Sequence, residues 1–277
     1  MPELPEVEVV RRGLDEHLTG LRFDAVEVLH PRAVRGNDVD VSEILAGLTI
    51  TGTGRRGKFM WLTLSDGAAL IVHLRMSGQM LIGKFASPHL RIRAQLSGTT
   101  LGFVDQRTFG SWQYSPLVRD PFTPGHLIPA GVRHIAPDPF EAAFDAENTA
   151  RVIRKKNSAI KTVLLDQSVV SGIGSIYADE AMWAAGIKPT RRARLLRQRD
   201  AVNLLEKARD VMAQALEQGG TSFDSLYVNV NGASGYFSRS LHVYGRAGKP
   251  CHACATEVLR TVVNGRSAHY CPRCQML

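Results

Sequence analysis

Between residues 5 and 18 the apolar positions Val7, Val10, Leu14 and Leu18 recur at helical spacing. Pro5 suits the first helical position and Gly20 follows the end, so the pattern predicts a helix over 5–18. The rhythm then shortens. RFDAVEVLH, KFMWLTL, ALIVHLRM, LRIRAQL and TLGFV alternate or are apolar throughout, with SDGA and SGTT turns between them. They predict a β-sandwich domain flanked by the first helix, over residues 1–130. The proline-bearing IAPDPFEAAFDAENTA reads as a linker, placed at 131–148.

From about residue 149 the period turns helical. TARVIRKKNSAIKTVLLDQSVV predicts one or two helices. SGIGSIYADEAMWAAGI predicts a glycine-bearing turn feeding another helix, with Ser175 as its N-cap. RDAVNLLEKARDVMAQALEQGG predicts a long amphipathic helix closed by Gly219 and Gly220. The stretch 221–237 has no regular period and reads as a mobile loop that completes a helical domain over 149–238. A third segment, 239–277, holds every cysteine. The class is therefore α+β and multidomain, with no internal repeat. No run of eighteen apolar residues suggests a membrane partner, and the opening lacks a signal-peptide pattern, so a cytosolic protein is expected.

Charge sharpens the picture. The net charge is +8, but residues 1–150 carry 15 Lys and Arg against 17 Asp and Glu, and residues 151–277 carry 19 against 9. A basic half joined to a near-neutral one points to a polyanion, nucleic acid before acidic membrane. Inside the first half, Arg55, Arg56, Lys58, Arg75, Lys84, Arg91, Arg93 and Arg107 face only Asp66 and Asp105 between residues 44 and 118.

The four cysteines form two knuckles, Cys251-x2-Cys254 and Cys271-x2-Cys274, sixteen residues apart. That spacing suits four thiolates around one structural Zn²⁺, one knuckle at each end of a hairpin, and a reducing compartment disfavours the disulfide alternative. An apolar strand over 258–263, an Asn264-Gly265 turn and a returning strand complete a zinc ribbon. Arg260, Arg266 and Arg273 keep it basic. Arg266, just past the turn, suits either a phosphate contact or plain solvation.

The opening MPELPEVE carries candidate chemistry. Loss of Met1 would expose the secondary amine of Pro2; free α-amines titrate near ~8, and the positive end of the following helix disfavours the ammonium form. Such an amine can attack a sugar C1′, expel the base and collapse to an iminium. Glu3 could then protonate the ring oxygen, and Glu6 could orient the amine or a water. Taken alone, the same residues better suit a rigid start and acidic complements to a helix dipole.

MPELPEVE, HLRMSG at 73–78, DQRTFG at 105–110, SGIGSIYADEAMW at 171–183 and CHAC…YCPRC occur in this order. Together they resemble the bacterial formamidopyrimidine-DNA glycosylase family over essentially the whole chain. The resemblance implies a monomeric base-excision-repair enzyme of the bacterial cytoplasm, nucleoid-associated when bound, acting on damaged double-stranded DNA. It would remove 8-oxoguanine and formamidopyrimidines and cut the strand by β,δ-elimination.

The resemblance also implies an N-terminal β-sandwich, a helix-two-turns-helix domain and a zinc ribbon. Pro2 becomes the Schiff-base nucleophile and Glu3 the proton donor. Lys58 is assigned to elimination, and Arg266 to phosphate grip and δ-elimination. Met76, Arg107 and Phe109 fill the gap left by the everted base, His89, Lys156, Lys161 and Ser175 contact DNA, and 221–237 caps the lesion. Two departures stand out: Ser175 where asparagine is usual, and DQRTFG in place of the commoner DPRRFG, which makes Thr108 neutral. A sister enzyme resembling endonuclease VIII, acting on oxidised pyrimidines, usually begins PEGPE, against Leu4 here. A non-catalytic paralogue that binds damaged DNA is the other class.

Overall fold

A computed structural model describes residues 2–220 and 240–277. Two compact units divide them, one holding 2–134 with 218–220, the other 135–217 with 240–277.

The first unit begins with helix α1 (Leu4–Leu18). Its stripe of Val7, Val10, Leu14 and Leu18 is buried, as an amphipathic period requires. Nine strands follow: β1 (Phe23–Val28), β2 (Ile50–Arg56), β3 (Phe59–Leu64), β4 (Ala68–His73), β5 (Gly78–Ile82), β6 (Leu90–Leu96), β7 (Thr99–Asp105), β8 (Ser111–Arg119) and β9 (Leu127–Pro129), with the short helix α2 (Val41–Leu45) between β1 and β2. They form two antiparallel sheets, ordered β1-β6-β7-β5 and β2-β3-β4-β8-β9. Leu62, Leu70, Val72 and Trp112 of one sheet share a core with Met80, Ile92, Leu101 and Phe103 of the other and with the α1 stripe.

Burial explains the sequence rhythms. In β3, Met60, Leu62 and Leu64 are buried and alternate with less buried neighbours, whereas every residue of β4 is buried and its sequence is accordingly almost unbroken apolar. Strand β2 escaped the sequence reading because ITGTGRR has no apolar alternation. Gly54 is required there by contact: a Cβ would stand 2.4 Å from the Trp61 ring.

The second unit contains α3 (Ala146–Arg154), α4 (Ile160–Leu164), α5 (Ser175–Ala184) and α6 (Gln198–Glu217), then the hairpin β10 (Leu259–Val263) and β11 (Arg266–Tyr270). Within the stretch read as a linker, Ile135, Ala136 and Asp138 are buried, and the Ala136 N–H donates to the Gln167 carbonyl. Gly219 and Gly220, both at positive φ, follow α6 as expected. The capping loop expected over 221–237 lies outside the described residues. No helix among the described residues is long and apolar enough to cross a membrane.

Candidate active site and nucleic-acid interface

At the start of α1 the acidic residues form a reciprocal cap. The Glu3 side chain accepts from the Glu6 backbone N–H, and Glu6 Oε2 accepts from the Glu3 N–H at 2.8 Å. This is the capping-box arrangement with glutamate in the usual Ser/Thr role, and it holds the Glu3 carboxyl against the first turn of the helix. Pro2, Glu3 and Glu6 are all buried. The helix begins at Leu4, so Pro5 is its second residue, where a missing N–H still costs nothing. Gly220 closes against this cap: a Cβ there would lie 3.2 Å from Glu6 Cγ.

Lys58 sits in a two-residue turn between β2 and β3, since Arg56 pairs with Phe59. Gly57 takes φ +57°, and Lys58 is buried. The turn is tied to α1 through Arg55, whose Nε donates to Glu8 Oε2 at 3.0 Å while Nη1 donates to the Gly57 carbonyl at 3.0 Å. Burial opposes the Glu8 charge, but hydrogen bonding from Arg11 and the nearby Arg55 outweigh it and hold the group at about 2. Arg56 donates from its two terminal guanidinium nitrogens, Nη1 to Asp120 Oδ1 at 3.0 Å and Nη2 to Oδ2 at 2.7 Å. The basic cluster around Lys58 is therefore committed in large part to internal ion pairs.

Two turns then present the expected gap-filling residues. In HLRMSG the residue before Met76, Arg75, has φ +53°. In DQRTFG the residue before Phe109, Thr108, has φ +55°. Both are non-glycine residues in the left-handed region, a conformation that needs support. For the first turn the support is His73, whose Nδ1 accepts from the Arg75 N–H at 3.0 Å. His73 is buried, and burial, then the charges of Arg75, Lys58 and Arg35, push its pKa down to about 3. The Phe59 ring meets it edge-on at 4.3 Å, which joins the Lys58 hairpin to the Met76 turn.

For the second turn the support is Asp105, fully buried. Its Oδ2 accepts from the N–H groups of Phe109 (2.8 Å) and Gly110 (2.7 Å). Its Oδ1 accepts from the Arg107 N–H (3.1 Å) and the Ser77 hydroxyl (2.5 Å). The Asp105 N–H in turn donates to the His89 carbonyl at 2.9 Å. Met76 and Phe109 stand 41% and 40% exposed, and Arg107 Nη1 reaches Met76 Sδ at 3.3 Å. The turns that carry Met76, Arg107 and Phe109 are thus brought together around one carboxylate, with the His89 carbonyl bound to the backbone of the same residue. Asp105, Ser77 and His73 were missed as site residues, although all three lie inside the two motifs.

In the second unit, Ser175 is the first residue of α5 and Gly174 is its N-cap, in place of the expected serine cap. The preceding turn is held by Gln167, whose Oε1 accepts from the Gly172 N–H and whose Nε2 donates to the Leu165 and Ile173 carbonyls. Lys156 is half-exposed, 3.7 Å from Asp166. Lys161, expected as a DNA contact, is instead fully buried. Its Nζ donates to Asp179 Oδ1 at 2.6 Å and to the Ser267 carbonyl on β11. The reason is its direction: on α4 it points into the packing of α5 and β11, and Asp179 compensates its charge.

The cysteine sulfurs lie within 4.8 Å of one another, with Cys251–Cys274 at 3.8 Å, Cys254–Cys271 at 3.4 Å and Cys254–Cys274 at 3.5 Å. A tetrahedral zinc with bonds of about 2.3 Å separates its sulfurs by roughly 3.8 Å, so the four thiolates fit that ion, and these distances exclude disulfides. Hydrogen bonds from the Thr256 side chain and backbone lower the Cys254 thiol to about 6. Beyond the knuckles, Val263 pairs with Arg266 across Asn264 (φ +47°) and Gly265 (φ +74°), the two-residue hairpin expected. Arg266 is exposed.

Residues 1–112 match the formamidopyrimidine-DNA glycosylase N-terminal domain, 135–226 that family's H2TH domain, and 248–275 a zinc finger found in FPG and IleRS. The Corynebacterium urealyticum formamidopyrimidine-DNA glycosylase is 57% identical over 99% of each chain. The chain belongs to the formamidopyrimidine-DNA glycosylase family. The Mycolicibacterium smegmatis member is 56% identical over 99% of this chain and 97% of its own. Among solved structures, Lactococcus lactis Fpg in complex with abasic-site DNA superposes with a TM-score of 0.85 at 31% identity, covering 99% of this chain and all of that one. MutM in complex with DNA containing carbocyclic 8-oxo-G gives 0.85 at 32%, covering all of both chains.

Proposed function

We propose that this DNA glycosylase removes oxidised purines, 8-oxoguanine and formamidopyrimidines, from damaged double-stranded DNA and then cleaves the strand as an abasic-site lyase. It would act as a monomer holding one structural zinc. With Met1 removed, the Pro2 amine attacks C1′ of the everted nucleotide, and the glycosidic bond breaks with its electrons leaving on the base. Glu3 protonates the ring oxygen as the sugar opens, giving an iminium between Pro2 and C1′. Loss of a C2′ proton expels the 3′ phosphate and a second elimination expels the 5′ phosphate, with Lys58 and Arg266 assisting. Lys156, His89 and Ser175 hold the backbone, and the zinc keeps the Arg266 hairpin folded.

The observation that carries the reading is the Met76–Arg107–Phe109 group. A folded protein that keeps two large apolar side chains and an arginine together on strained, exposed turns has the form of a wedge for an opened base stack. Intact mass together with borohydride trapping on duplex containing 8-oxoguanine opposite cytosine tests it. Protein lacking Met1 should give a covalent adduct and Pro2→Gly none. An adduct from protein retaining Met1, or none from processed protein, would refute the nucleophile. Preference for an oxidised-pyrimidine duplex would refute the substrate class.

A further inference from the structure

We propose that Asp105 is the positioning residue that makes Met76, Arg107 and Phe109 a single wedge, so that it governs base eversion more than the chemistry that follows. This rests on the wedge reading above and adds to it the group that holds the wedge. Three observations carry it. All four hydrogen bonds to the carboxylate come from the two wedge turns, and three of them are backbone N–H groups of the second turn. Thr108, a β-branched residue at φ +55°, sits between two of those anchored N–H groups, so the carboxylate offsets the strain of the turn. Gly110 permits the approach: a Cβ there would meet Phe103 Cζ at 2.6 Å, the His73 carbonyl at 2.8 Å and Asp105 Oδ2 at 3.2 Å.

The Ser77 bond matters most for coordination. Ser77 follows Met76, and its hydroxyl oxygen also accepts from the Arg107 N–H at 3.1 Å. Asp105 and Ser77 therefore lock one turn to the other, and neither wedge half can shift alone. Asn at position 105 would replace one acceptor oxygen with an NH₂ group facing buried donors.

The test uses full-length, zinc-loaded enzyme and two duplexes. One contains 8-oxoguanine opposite a fluorescent cytosine analogue, the other a preformed abasic site, where no base pair has to be opened. Asp105→Asn should lose excision on the first by about 100-fold, as two buried donors lose their acceptor, while adduct formation on the second falls less than about tenfold. The fluorescence rise that reports the unpaired cytosine should vanish with it. Equal losses on both duplexes, or an undiminished fluorescence rise, would overturn the inference. Should Asp105→Asn fail to fold, Ser77→Ala decides: a smaller loss confined to the 8-oxoguanine duplex supports the inference, and no loss overturns it. A wild-type protein that forms no adduct on either duplex would instead refute the glycosylase chemistry, while its fluorescence rise would still report on the wedge.

Discussion

Arg266 and Arg107 are both presented by short turns containing left-handed residues, yet the two turns are held differently. Arg266 ends the Asn264-Gly265 turn, where residues suited to positive φ adopt it without strain, and the hairpin rests on four cysteines gathered below it. Arg107 lies in a turn whose left-handed residue is threonine. Its conformation is held by a buried carboxylate. The ribbon gathers four thiolates suited to an ion that can be removed, whereas the Arg107 turn is held by hydrogen bonds that cannot be removed without mutation. The two turns are therefore vulnerable to different losses, one to chelation and the other to substitution of a single acceptor.

The largest effect should come from the metal. Structural zinc in small fingers carries on the order of 10 kcal/mol or more, so the ribbon should not persist as a folded hairpin without it. Chelation, or Cys254→Ser, is expected to release one equivalent of zinc and to abolish protection of the 259–270 amides in hydrogen exchange. Protection of the Phe109 and Gly110 amides should be unchanged, since their acceptor is Asp105. Loss of protection in both regions would break the contrast.

Lys161 tests the packing beneath the ribbon. Removing one partner of a buried ion pair leaves the other charge uncompensated, at a cost of about 3–5 kcal/mol. Lys161→Met strands Asp179, which also accepts from the His269 backbone N–H at 2.9 Å and from its ring at 3.1 Å. Urea unfolding followed by a probe in the second unit should move to a markedly lower midpoint. Were Lys161 a surface DNA contact, the midpoint would stay put and the salt dependence of DNA binding would weaken by roughly one phosphate contact.

These two regions also mark how far the sequence could be read. Cysteine spacing and an Asn-Gly turn are one-dimensional signals, because zinc geometry and hairpin twist act on residues near in sequence; the ribbon was legible down to its turn. The α1 stripe and the apolar β4 were legible for the same reason. What escaped depends on which charge finds which partner in space. Nothing in RRGKF says that Arg55 answers to Glu8 on α1 and Arg56 to Asp120 sixty-four residues on. Nothing in AIKTV says that its lysine points inward. Asp105 stood out only as one of two acids in a basic stretch, whereas its function is to accept three backbone N–H groups, a property of the folded turn alone.

The smallest effect concerns the first wedge turn and is read through pH. His73 stays neutral in the fold down to about pH 3, while in the unfolded chain a histidine takes up a proton near 6.5. Between those values the unfolded state binds more protons, so the folded state loses ground as pH falls, by up to about 1.4 kcal/mol per pH unit. Above pH 6.5 the group is neutral in both states and contributes no slope. Carboxylates titrate in the same window, so the group is isolated by comparison with His73→Asn, whose side-chain oxygen can still accept from the Arg75 N–H. The variant should be somewhat less stable at pH 7.5 through loss of the Phe59 edge contact. Its stability should then fall less steeply than wild type from pH 6.5 to 4.5, narrowing or reversing the gap, as measured by denaturant midpoints at each pH. Parallel curves would mean that His73 protonates in place, and the Met76 turn would then need a different acceptor for the Arg75 N–H.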